Sequence, residues 1–266
     1  MEKSKSNIIN FNRLHPTAIV HPGAKLGKNV VIGPYSVVGE QVEIGDDCEI
    51  GPHVTLDGHT TIGSGNRFFK GASIGCNSPN INHKAEKGYL VISDHNVFRE
   101  NVIVCCGTEG ETTRIGNDNL FIANSFIEYC CQIGNHTVIN YCTTLADHVV
   151  VEDRAIISGL SEVCSFVRIG EMAMIGYLSK IVKDIPPYML MDGNPAAPAG
   201  INVVGLRRNG IDAGGREQLK KAYRILYRTD LPLHEAIERM KQEFTESEEV
   251  GHLIHFLSHT QIGILQ

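Results

Sequence analysis

The chain has 266 residues, a net charge of -6 and 42% hydrophobic side chains, with 6% aromatics and no tryptophan. This acidic balance argues against nucleic-acid binding by phosphate neutralisation. No apolar run is long enough for a membrane-spanning helix.

The polar start, MEKSKSNIINFNR, carries no apolar signal core. A cytoplasmic location with eight reduced cysteines is therefore expected. From Val20 an aliphatic residue recurs every six positions: Leu26, Ile32, Val38, Ile44, Ile50, Leu56, Ile62, then Phe68 and Ile74. Neither a helix nor a simple alternating strand has this period. Six residues suit one short strand plus one corner, and three such units close a triangular coil. One aliphatic side chain per unit then points into the prism, giving a parallel β-solenoid of about eight coils.

Two polar stretches break the count. The first is Cys76 to Tyr89, and the period resumes at Ile92, Phe98 and Val104. The second is CGTEGETT, after which the period runs from Ile115 to Ile181. Such insertions leave a solenoid core intact and project from one edge. Loops are expected at 76–90 and 106–113, as arms over a site or onto a neighbouring subunit. The Pro186–Pro187 pair is expected to end the ladder. Beyond it, helical spacing begins. Leu219, Ala222, Tyr223, Leu226 and Tyr227 share one face, a second helix follows Pro232, and a third spans EEVGHLIHFLSH. The division expected is 1–190 for the β-helix and 191–266 for a linker and α-helical C-terminal domain.

The start HPTAIVHPGAKLG, the interrupted hexads, IPPY followed by GNPAAPAGINVVGLRRNG, and the helical tail together resemble the acyl-carrier-protein-dependent UDP-N-acetylglucosamine O-acyltransferases of lipid A synthesis. The resemblance covers essentially the whole chain. It implies a left-handed parallel β-helix and a homotrimer with active sites between subunits. It also implies acyl carrier protein and a UDP-sugar as partners, and no cofactor. In that family a histidine oriented by aspartate takes the proton of the sugar 3-hydroxyl, which attacks a 3-hydroxyacyl thioester.

Aligned without gaps through DNLFIAN and QIGN, the histidine–aspartate pair falls on Tyr129 and Cys130, and a further family histidine on Phe126. A tyrosine of ordinary pKa is only about 0.1% phenolate at neutral pH, and a cysteine cannot orient an imidazole as a carboxylate does. The stretch Glu128–Cys131 is expected to be exposed. The histidine of the next coil is kept as His148, a relocated general base. The one after is Cys164, with Ser165 beside it in place of a glutamine.

On the sugar-nucleotide side the resemblance assigns Asn80, Asn202, Arg207 and Arg208. Asn82 replaces a lysine, with His83 and Lys84 nearby as partial compensation. Val204 and Asn209 replace a glutamate and a basic residue. Gly176 and Tyr177 fall in the acyl-chain groove, where tyrosine would shorten the chain accepted. A metal site among Cys130, Cys131, Cys142, Cys164, His136 and His148 lacks any C-x-x-C spacing, and no metal is expected. Two functions are weighed: an O-acyltransferase with an altered site, and an inactive homologue that binds a sugar nucleotide or acyl carrier protein.

Overall fold

The computed structural model describes residues 12–77, 88–108 and 110–265. Each hexad folds as a two-residue strand and a corner, for example Phe126–Ile127, Gln132–Ile133 and Val138–Ile139. Strands one coil apart pair in parallel, eighteen residues on: Ile127 with Leu145, and Ile133 with Val151. Three sheets result, with 11, 9 and 8 strands among the described residues. The second residue of each strand points inward, so Ile127, Leu145 and Val163 are fully buried. This is the parallel β-helix expected from the six-residue period.

The corners explain how each turn is held. Their second residue adopts a left-handed conformation, as at Cys130 (φ 59°), His148 (φ 56°) and Phe166 (φ 63°). Non-glycine residues rarely do so. Here the strained residue's N–H donates to the coil below: His148 N to Tyr129 O at 3.1 Å, and Phe166 N to Asp147 O at 3.1 Å. Inside the prism a second ladder is polar. Asn96 and Asn119 are buried, and the side-chain oxygen of each accepts from the backbone N–H of the next coil. Asn66 supplies the same contact to Asn96.

Across both insertions the first sheet keeps its register: Arg67 pairs with Val97, and Val97 with Leu120. Phe68, Phe98 and Phe121 therefore still stack, with ring centroids 4.8 and 4.7 Å apart.

The proline pair does not end the sheet. Ile185 bridges to Ile169, Pro186–Pro187 takes the corner, and Met189–Asp192 rejoins the first sheet beside Met174–Ile175. Ala197–Ile201 then returns antiparallel. The expected boundary at residue 190 falls inside this hairpin. Four helices follow: α1 (Val203–Arg208), α2 (Ala213–Tyr227), α3 (Leu233–Glu243) and α4 (Glu248–Ser258). The last three match the helical spacing of the sequence, whereas α1 was not expected.

The helix α4 packs on the flank of the last coils. The Arg168 guanidinium lies over the Phe256 ring, 4.0 Å from its centroid. His252 Nε2 is 3.2 Å from Glu152, and Nδ1 is 3.4 Å from Glu171. The carboxylates of Glu152 and Glu171 raise the His252 pKa to about 9.

Two outcomes follow from this packing. Phe98→Ala removes the middle ring of the stack and should cost about 3–5 kcal/mol in chemical denaturation. His252 has its pKa raised on folding, so its contribution is fully present below the ordinary histidine pKa. It is lost as pH rises through about 9. That contribution is at most about 3 kcal/mol. Thermal melts should show this alkaline loss in the native chain and not in His252→Gln.

Candidate active site

The hexad geometry stacks every eighteenth residue at one corner. Tyr129, Asp147 and Ser165 form one such column, and Cys130, His148 and Phe166 form the next. Both lie on the corner between the second and third sheets. Asp147 Oδ2 receives the ring N–H of His148 Nδ1 at 2.8 Å. The Ser165 hydroxyl donates to the other Asp147 oxygen at 2.5 Å. Burial pushes the Asp147 carboxyl up, but the Ser165 hydroxyl and the His148 ring outweigh it and hold the group below its usual value. Asp147 is thus an anion that fixes the imidazole plane and tautomer.

Aromatic rings bracket the imidazole. Phe166 lies nearly parallel to it, 4.7 Å between centroids, and Tyr129 meets it edge-on at 5.7 Å. Tyr129 is 9% exposed and Cys131 is fully buried, so the expectation of an exposed Glu128–Cys131 stretch is corrected. The inward corner residues of a coil are covered by the coils above and below.

Two residues of this corner, Asp147 and Glu111, were missed from sequence. The second insertion returns to the sheet at Thr112–Ile115 and carries Glu111 to the His148 ring. Glu111 Oε2 lies 3.1 Å from His148 Nε2 and accepts the Cys130 thiol at 3.0 Å. The Cys130 thiol and then the His148 ring hold the Glu111 carboxyl below its usual value. Burial, with the adjacent Glu111 carboxylate, pushes the Cys130 thiol up to about 11. It is therefore a neutral thiol near pH 7 and not an activated nucleophile.

The other expected site residues are spread more widely. Cys164 is half-buried against the core, and Ser165 joins the Asp147 network. Asn202 is buried and caps α1, accepting from Gly205 N and donating to Met172 O at 2.9 Å each. Its side chain is occupied by the fold. Arg207 and Arg208 form the exposed last turn of α1 and have no ion-pair partner among the described residues. Gly176 and Tyr177 sit on a different corner, between the first and second sheets, with Tyr177 exposed and its ring 6.0 Å from that of Tyr141. Asn80, Asn82, His83 and Lys84 lie outside the described residues.

With this geometry in hand, comparison with known proteins is direct. Residues 184–265 match the family model for the second domain of UDP-N-acetylglucosamine O-acyltransferase, and residues 23–58 match the bacterial transferase hexapeptide repeat. The acyl-(acyl carrier protein)–UDP-N-acetylglucosamine O-acyltransferase of Anaeromyxobacter sp. is 45% identical, over 94% of this chain and 98% of its own length. The chain belongs to the UDP-N-acetylglucosamine O-acyltransferase family. The Burkholderia orbicola member is also 45% identical, over 96% of this chain and 99% of its own. The solved acyltransferase from Bacteroides fragilis superposes with a TM-score of 0.92 at 35% identity, covering 95% of this chain and 99% of that one. Among the described residues, no helix of this acyltransferase-family chain is long and apolar enough to cross a membrane.

Thiol chemistry tests the site directly. Exposed Cys142 should be alkylated by iodoacetamide at neutral pH well before buried Cys130, as read by peptide mass spectrometry. Preferential labelling of Cys130 would reveal a thiolate there.

Proposed function

We propose that this chain transfers a 3-hydroxyacyl group from acyl carrier protein to the 3-hydroxyl of UDP-N-acetylglucosamine, with His148 as the general base. The observation that carries the reading is the Ser165–Asp147–His148 chain of hydrogen bonds, one coil above Tyr129 and Cys130. Relatives at 45% identity over nearly the full length bear names specifying these two substrates.

In this reading the substrate hydroxyl displaces Glu111 from His148 Nε2. The ring takes the hydroxyl proton as the oxygen attacks the thioester carbon. The new C–O ester bond forms, the C–S bond breaks, and the proton passes to the departing thiolate. Asp147 keeps Nδ1 protonated, so that Nε2 is the accepting atom. Tyr129, in the family's base position, contributes packing against the ring. Arg207 and Arg208 are free to meet a diphosphate, because a guanidinium fork matches phosphate oxygens. Asn202 would act on the sugar nucleotide only by fixing the start of α1. Tyr177 lies on another corner, so it can border the acyl path only if a neighbouring subunit supplies it. That requirement, with exposed Leu160, Phe166 and Leu178 on the corners, supports a homotrimer.

One observation favours the alternative of a silent, ligand-binding homologue. Phe166 covers one face of His148 while Glu111 occupies Nε2. Glu111 at least must move before a substrate reaches the ring.

The test is acyl transfer with purified protein and 3-hydroxyacyl carrier proteins of several lengths. Asparagine tolerates the left-handed corner, so His148→Asn isolates the base. It should lower turnover by about 100- to 10,000-fold, with Tyr129→Phe close to the native rate. Equal loss in both variants would remove His148 from the role. No turnover at any chain length would favour the binding homologue.

A further inference from the structure

Three potential metal ligands converge at the site corner. The carboxylate oxygen of Glu111, the sulfur of Cys130 and Nε2 of His148 all lie within 4.8 Å of one another. The contacts are 3.0 Å from Glu111 to Cys130 and 3.1 Å from Glu111 to His148. No loop other than the second insertion brings Glu111 there. Its backbone carbonyl accepts from Tyr89 N in the coil below, and its side chain, 58% exposed, is left to reach the corner.

The contacts of the trio converge on one carboxylate. His148 Nδ1 is committed to Asp147, which leaves Nε2 facing Glu111. The Cys130 thiol donates to the same carboxylate oxygen. A single divalent cation can bond all three ligand atoms at once.

We propose that Glu111, Cys130 and His148 form a binding site for a single Zn²⁺ ion. On binding, the Cys130 S–H proton leaves to solvent, and Sγ, the Nε2 lone pair and Oε2 bond to the metal. Two positive charges arrive and one leaves, so the corner gains one positive charge. Thiolate and imidazole select zinc over magnesium or calcium, which take oxygen ligands. Ligand atoms on a tetrahedral zinc are about 3.3–3.5 Å apart, given its usual bond lengths. The two pairs that include Glu111 need only open by a few tenths of an ångström, which its exposed side chain can absorb.

The surroundings suit the ion. Asp147 on Nδ1 makes the carboxylate–histidine–metal arrangement that orients metal-binding imidazoles, and Ser165 in turn holds Asp147. Three protein ligands leave the fourth position open to water or a substrate oxygen.

The inference shares His148 with the acyl-transfer reading: Nε2 bonded to zinc cannot also take the hydroxyl proton, so the zinc-bound form is inactive in that reading, and the site itself is tested without turnover. The test is titration of the chelator-treated full chain with Co²⁺ as a spectroscopic stand-in. One equivalent per chain should produce tetrahedral visible bands and a near-ultraviolet thiolate-to-cobalt charge-transfer band, and Zn²⁺ should bleach both. Cys130→Ser should abolish the charge-transfer band. Glu111→Gln, on an exposed loop where folding is not at risk, should weaken binding at least about 10-fold. Absence of the band in the native chain, or a band that persists in Cys130→Ser, would overturn the site, whether or not the protein transfers acyl groups.

Discussion

The structure depends on one constraint: each side chain must sit directly above its equivalent eighteen residues earlier. Hydrogen bonds between coils, aliphatic stacking inside the prism and the left-handed corners all enforce it together. A parallel β-helix has no separate core and surface design. One repeat fixes the interior, the edge and the site at once. The candidate-site corner is a product of that stacking. Asp147 and Ser165 meet because they are eighteen apart.

The repeat explains why so much was legible in the sequence. Val20 to Ile181 marks the interior without reference to tertiary contacts, because each inward residue needs only its neighbours above and below. The amphipathic spacing of α2 to α4 was readable for the same local reason. Pro186–Pro187 misled because its structural meaning is positional. A proline costs a ladder bond inside a strand but costs none at a corner, and here the pair turns the chain into one more strand.

The site was only partly legible. His148 stood out through the family resemblance, while Asp147 went unremarked although eighteen-residue spacing stacks it between Tyr129 and Ser165. Glu111 did not stand out, since it comes from an insertion whose path no periodicity describes. Asn202 shows the opposite failure. Its position in the motif suggested ligand contact, yet both of its side-chain atoms are taken up by the α1 cap and Met172. Only the three-dimensional hydrogen-bond accounting separates a cap from a contact.

The buried asparagine ladder through Asn66, Asn96 and Asn119 has a further consequence for how such a chain can change length. Its rungs require every coil to return to the same azimuth. Deleting one hexad would rotate everything downstream by a third of a turn. A hexad lost between Asn66 and Asn96 would set the Asn66 amide against Val102 in place of Asn96, and the His148 corner would swing to another edge of the prism. Deleting a whole coil would preserve the alignment. Adding residues outside the repeat count also preserves it, since the first sheet pairs in register across both insertions. Length variation in this architecture is therefore quantised, in full turns or in excursions. New chemistry such as Glu111 enters by the second route, because an excursion is the one kind of change that leaves the count undisturbed.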